Sequence, residues 1–236
     1  MGTIVNCFAV IAGGSLGLVM KGGLPKRIAD LLMQSLGLCT MFIGISGAIT
    51  AMIRIENNQL VTTQTMLMIA SLAIGAVSGE LLNIEGRMER LAEKIKLLIK
   101  SNDHLFVEGF VTNALVICIG AMAVVGALQD GLVHDSSMLY TKAILDGIIS
   151  MIFASALGIG VLFAAFPLGI YQGFITVFAS FIAPYFDTTL ITALSGVGNV
   201  LIFGVGINLL FGKQLRVGNL LPSLLIPVIA SMVGLL

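Results

Sequence analysis

The chain has 236 residues, 58% of them hydrophobic and only 10% charged, with a mean hydropathy of +1.08. Soluble domains carry about 25% charged residues, so this surface must face lipid. The formal net charge is zero and the pI is near 6.7, which speaks against nucleic acid as a partner of the whole chain.

A helix needs about 20 apolar residues to cross the hydrocarbon. In chain order, eight stretches are candidates: Thr3–Met20, Ile28–Met52, Thr63–Leu82, Leu105–Leu128, Tyr140–Phe166, Leu168–Ile182, Thr188–Phe211 and Leu220–Leu236. They predict an all-α, polytopic transmembrane helix bundle, one domain over residues 1–236, with six to eight crossings. The first stretch has its positive charges after the apolar run and none before it, so it reads as a retained helix and not a cleaved signal peptide. The sixth lies between Pro167 and Pro184 and reads as tilted or broken.

Residues 84–103 differ in character. Ile84, Met88, Leu91, Ile95 and Leu98 recur at helical spacing, while Glu85, Glu89, Arg90, Glu93, Lys94 and Lys96 fill the rest. This predicts an amphipathic cytoplasmic linker helix, a strap between two halves, whose apolar stripe is also suited to the headgroup layer.

Charge placement orients the chain. With the N-terminus outside, the cytoplasmic loops hold Lys21, Lys26, Arg27, Arg87, Arg90, Lys94, Lys96, Lys100, Lys213 and Arg216, leaving only Arg54 and Lys142 opposite. Cytoplasmic loops carry the Lys/Arg excess, so both termini are expected outside.

Two internal matches suggest duplication. Asn6 and Gly13 in the first stretch match Asn113 and Gly120 in the fourth, and Lys26–Asp30 matches Lys142–Asp146. That pairing gives inverted repeats, with Asp30 near the cytoplasmic face and Asp146 near the outer face. A rival pairing sets Leu36-Gly-Leu and Gly79 against Leu168-Gly-Ile and Gly212, in parallel. Chance similarity in low-complexity apolar sequence is the third reading.

The strongest candidate site is Asp146, set among Ile144, Leu145, Ile148 and Ile149. An ionisable group in a membrane segment costs several kcal/mol and marks a functional site by default. Its bland alternative is a carboxylate held by Lys142 at the membrane edge. Asp30, in the first turns of its helix, serves either as a counterpart of Asp146 or simply as an acid at the positive end of a helix dipole. Glu80 and Glu108 lie at span ends, solvated or paired with bases of the strap. Asn6, Asn113, Asn199 and Asn208 fall within apolar runs, where asparagine bonds helices together or lines a polar path. Ser195-Gly-Val-Gly-Asn199 has the composition of a carbonyl-lined ion filter. Tyr171 and Gln172 read either as an interfacial anchor or as pore lining. Gly13-x-x-x-Gly17 and Gly75-x-x-x-Gly79 are helix-packing motifs.

Catalysis finds no support: no Ser/His/Asp set, no HExxH and no phosphate-binding loop is present. Cys7, Cys39 and Cys118 form no CxxC pair, and His104 and His134 lie in polar loops, so no metal and no cofactor is expected. His134, with Asp130 and Asp135 beside it, reads as a solvated loop.

Gly79-Glu-Leu-Leu-Asn-Ile-Glu85, Glu108-Gly-Phe, Lys142-Ala-Ile-Leu-Asp-Gly147, Tyr171-Gln-Gly173 and Asn219-Leu-Leu-Pro222, in that order, resemble the YdfK/YqgA family of bacterial multi-pass integral membrane proteins, a domain of unknown function. The resemblance covers essentially the whole chain and implies a bacterial plasma membrane location. It assigns no residue a role.

Together these features point to a transporter of a small solute or ion, not an enzyme, driven by an ion gradient because no part of the chain could bind ATP. Its partners would be the lipid bilayer, the solute and further copies of itself in a homo-oligomer. A passive oligomeric channel and a non-transporting scaffold are the alternatives.

Overall fold

The fold comes from a computed structural model that describes residues 1–21, 26–56, 59–119, 121–182 and 187–234. Among the described residues it is all-α apart from one hairpin. Among them six helices are long and apolar enough to cross a membrane, or seven if the bent pair Phe106–Cys118 and Met122–Val133 is one span. The eighth expected span is a shorter apolar element, Val217–Met232. Gly120, half of one repeat match, lies outside the described residues.

The chain folds as two compact units. The first comprises residues 1–35, 86–118 and 122–182. Its elements are α1 (Gly2–Lys21), the start of α2 (Lys26–Met52), most of α4 (Ile84–Leu98), α5 (Phe106–Cys118), α6 (Ala121–Val133), α7 (Ser137–Leu157), α8 (Gly160–Phe163), α9 (Ala165–Val177) and α10 (Ala179–Ile182). α1 and α7 run parallel: Gly2 faces Leu139, Gly13 faces the carbonyl of Gly147 and Gly17 that of Met151. Backbones come this close only where small residues sit on the contact face, as expected from the Gly13-x-x-x-Gly17 motif. α8 and α9 run the other way along α1, with Leu162 against Gly14 and Gly169 against Cys7.

α5 and α6 also oppose α7. The carbonyl of Phe106 faces Gly160, just past the end of α7. At the far end Asp130 accepts from Gly2 N, 3.1 Å, and from Ser136 Oγ, 2.5 Å, beside the start of α7. The bent pair thus runs alongside α7 from its C-terminal end to its start.

Helix ends differ from the sequence reading for physical reasons. The expected fifth span stops at Leu157, because Gly158 has φ 86° and ψ −158°, a conformation open to glycine. Pro167 was expected to precede the sixth span, yet it lies in the first turn of α9, where a missing N–H costs nothing. α4 matches the predicted linker helix over Ile84–Leu98, but its stripe is partly covered. Ala92 is buried with Phe106 and Phe110, Ile95 packs on them, and Met88 packs on the cluster of Val10, Ala114, Ile117 and Leu168. Leu91, Leu97 and Leu98 stay exposed.

The second unit comprises residues 36–85, 119–121 and 183–236. It holds the rest of α2, an antiparallel hairpin of β1 (Ile53–Glu56) and β2 (Gln59–Thr62), α3 (Thr65–Leu82), α11 (Thr188–Phe211), a 3-10 helix over Val217–Leu224 and α12 (Leu225–Met232). The hairpin was not foreseen. α3 packs on the 3-10 helix through Gly75 and Gly79, which face Ser223 and the carbonyl of Asn219. Asn83 ends α3 in the left-handed conformation, φ 47°, which asparagine tolerates better than most residues.

Candidate functional site

Lys142, Asp146 and Ser150 are spaced four apart on α7 and therefore share one face. All three are buried. Asp146 lies mid-helix, about 14 Å along the axis from Ser137 at 1.5 Å per residue. It is near neither end of the helix.

Asp146 Oδ2 is 2.5 Å from Lys142 Nζ. The bland alternative foresaw this pairing but set it at the membrane edge; both side chains are in fact less than a tenth exposed. A second partner explains how an ammonium is held so deep. Lys142 Nζ also donates to the carbonyl oxygen of Ile117 at 2.8 Å. Ile117 is in the last turn of α5, and the final carbonyls of a helix lack their intrahelical donors. The helix break therefore supplies an acceptor inside the bundle, a known use of broken helices in membranes.

Asn6 of α1 and Gln172 of α9 complete the cluster. Asn6 Nδ2 donates to Asp146 Oδ2 at 2.9 Å and to Gln172 Oε1 at 3.3 Å. The order of donors is forced. A carboxylate only accepts, so Asn6 must present its NH2; Gln172 must then present its oxygen to the same NH2. What remains is Asn6 Oδ1 and Gln172 Nε2, both buried and without a partner among the described residues. Each residue is 0% exposed. Leaving such a group unpaired costs about 1–3 kcal/mol.

Four residues on, Ser150 meets Asn113 of α5. Asn113 Nδ2 donates to Ser150 Oγ and to the carbonyl of Val161, each at 3.0 Å, and Ser150 Oγ lies 3.4 Å from Asn113 Oδ1. This pair is satisfied within the chain. Three of the expected residues, Asp146, Asn6 and Gln172, thus meet directly, and Asn113 adjoins them along α7. Tyr171 is half-buried beside Gln172, and its hydroxyl makes no hydrogen bond among the described residues.

The other expected residues stand apart. Asp30 is exposed on α2, so its match to Asp146 is one of sequence and not of surroundings. In the second unit, Asn199 Nδ2 donates to the carbonyl and hydroxyl of Ser195 one turn back. Asn208 ties the loop after α11, donating to Leu215 O and accepting from Gln214 N and Leu215 N. Ser195–Asn199 is regular helix within α11, so its carbonyls point along the helix and form no filter. A groove of about 370 Å³ runs along α2 and α11, but the hydroxyls of Ser46, Thr50 and Thr192 donate to their own helices.

Several contributors escaped the sequence reading. Ile117 acts through its backbone, which no side-chain pattern reveals. Asp130, read as part of a solvated loop, is buried on α6, where it also accepts from the amino group of Met1. Glu80 is paired as foreseen, but with Arg216 and Asn219 and not with the strap. Glu85, read as polar filler, is buried; it pairs with Lys213 at 2.7 Å and accepts from Gly218 N at 2.9 Å.

The chain belongs to the family described as protein of unknown function (DUF554), whose model matches residues 1–232. It is 37% identical to the uncharacterized membrane protein YdfK of Bacillus subtilis (strain 168), over 96% of this chain and 93% of YdfK. It is 29% identical to the uncharacterized protein YqgA of Escherichia coli (strain K12), over 96% of this chain and 94% of YqgA. No solved structure matches the chain.

Proposed function

We propose that this membrane protein is a transporter of a small solute or ion, driven by an ion gradient, and that Lys142–Asp146 is its coupling site. One observation carries the reading: an ion pair buried mid-helix in an apolar bundle, bordered by two amides that each keep one polar group unpaired. A pair that served packing alone would be expected to satisfy its neighbours, since apolar residues of similar volume often do as well. Asn6 and Gln172 form the polar continuation of the site, and Asn113 steadies α7 through Ser150. No bond-making chemistry is assigned to the protein.

The protein would sit in the bacterial plasma membrane with both termini outside. The Lys/Arg-rich loops support this orientation; the parallel course of α1 and α7 adds only that an odd number of crossings separates them, which α2, α3 and the α5–α6 pair would supply.

Reconstitution tests the reading. Proteoliposomes with an imposed proton or sodium gradient should concentrate a solute saturably, and D146N at equal incorporation should not. Unitary currents in planar bilayers would make the protein a channel instead. A D146N variant that differs only in thermal stability would leave the pair a packing role alone.

A further inference from the structure

Asn6 Oδ1 and Gln172 Nε2 are not the only buried polar atoms without a partner on these two helices. Thr3 Oγ1 and Thr176 Oγ1 share that condition. Thr3 precedes Asn6 by about one turn of α1, and Thr176 follows Gln172 by about one turn of α9. Because the helices are antiparallel, with Asn6 by Gln172 and Cys7 bonded to the carbonyl of Ala165, both threonines lie on the same side of the amide pair. The four atoms therefore form a row along one seam. Its outer end is marked by Gly131, which abuts the carbonyl of Thr176, and by Asp130, which holds Gly2 N. Its inner end is Asp146.

The chemistry of the row selects its occupant. Asn6 Oδ1 needs a donor and Gln172 Nε2 needs an acceptor, while the hydroxyls can serve either way. A bare alkali cation would be repelled by the hydrogens on Nε2. An anion would be repelled by Oδ1. Water satisfies both, and buried water in proteins makes about three hydrogen bonds to such groups.

We propose that the α1–α9 seam binds a file of water that carries protons between the Asp130 end of the bundle and Asp146. This deepens the transport reading, on which it rests, by making the proton the coupling ion. A hydronium in the file gives its proton to the Asp146 carboxylate and becomes water, leaving a carboxylic acid beside an ammonium that keeps its own protons. The other titratable groups facing this point are Lys142 on α7, Cys7 on α1 and Cys118 at the end of α5, with Tyr171 on α9 beside Cys118.

Silver-ion accessibility tests the seam without a known substrate. In a background with Cys7, Cys39 and Cys118 changed to Ser, single Thr3→Cys, Thr176→Cys and Gln172→Cys variants in lipid nanodiscs are exposed to silver nitrate. Protection from later maleimide labelling in detergent reports the reaction. Phe8→Cys and Phe174→Cys, at exposed apolar positions, are the lipid-facing controls. Seam thiols should react at least about tenfold faster than the controls, because a thiol reacts through its thiolate, which needs water. Rates equal to the controls overturn the seam. Where the cysteine-free background fails to fold, Thr3→Val/Thr176→Val in the native chain serves instead: it should slow proton uptake, read with a pH dye inside proteoliposomes, and an unchanged rate overturns the proposal. Fast silver reaction with no flux in the native protein keeps the seam and removes the transport reading. Lipid-like silver rates, with flux lost in D146N, do the reverse.

Discussion

Lys142 and Asp146 stand one turn apart on α7, and their charged ends meet at 2.5 Å with almost no exposure. An i,i+4 pair on a solvated helix is worth only a few tenths of a kcal/mol. Here each charge has left water, so the partners depend on each other far more strongly. The Ile117 carbonyl and the Asn6 amide supply the further hydrogen bonds that a buried pair requires.

Removing one partner should therefore be worse than removing both. Lys142→Met and Asp146→Leu are each expected to destabilise by about 3–5 kcal/mol, because each strands a buried charge. The double variant should recover most of that loss. Thermal unfolding in mild detergent, set out as a double-mutant cycle, checks this; additive losses would show that the two charges act independently.

Asn219 should be the most sensitive residue of the C-terminal segment. Its Oδ1 accepts from Glu85 N at 2.7 Å and its Nδ2 donates to Glu80 Oε2 at 2.8 Å. Two segments of the family resemblance, Gly79–Glu85 and Asn219–Pro222, thus meet in one network. Asn219→Ala is expected to cost about 1–3 kcal/mol through the buried groups it leaves unpaired. Asn208→Ala, acting on an exposed loop, should cost less. Equal midpoints of thermal unfolding for the two variants would contradict this ranking.

The turn before α7 should respond to pH. Ser137 donates to Asp135 Oδ1 through its hydroxyl at 2.6 Å and its backbone N–H at 2.9 Å. The hydroxyl bond first, then the backbone bond, holds the Asp135 carboxyl below the usual carboxylate range. A depressed pKa gives stability that is present above the unfolded-state value and lost as pH falls through the folded one. Asp135→Asn should thus lower the unfolding temperature slightly at pH 7 and leave it unchanged in strong acid. A titration of the Asp135 carboxyl by NMR that showed the unperturbed value would remove the effect.

The helical spans were legible because lipid imposes one rule, that each backbone group be satisfied within its own segment. Asp146 was legible for the same reason, since charge in an apolar run is rare. What bound it was less so. Lys142 is local in sequence, but Asn6 and Gln172 lie 140 and 26 residues away, and their convergence depends on α1 packing against α7 and α9 packing against α1. The match of Asp30 to Asp146 misled because spacing carries no information on burial. Pro167 misled because a proline ends a helix in its interior and not in its first turn. The Ile117 carbonyl could not have been found from side chains at all.

The parallel contact of α1 and α7 gives the sharpest test of the fold. At Gly13 and Gly17 an added methyl would run into the carbonyls of Gly147 and Met151, which are backbone and cannot rotate away. Gly13→Ala and Gly17→Ala must therefore push the helices apart, at about 1–3 kcal/mol each for an overpacked contact. The same shift would draw Asn6 from Asp146, so the proton uptake proposed above should fall with stability. Gly173→Ala is the matched control: it lies on α9 with nothing within 4 Å of the added methyl, and a helix gains up to about 1 kcal/mol when glycine becomes alanine. Unfolding temperatures in detergent should fall for the first two and hold or rise for the third. Were all three variants equally stable, α1 and α7 would not be in backbone contact, and Asn6 would have no fixed place from which to reach the carboxylate.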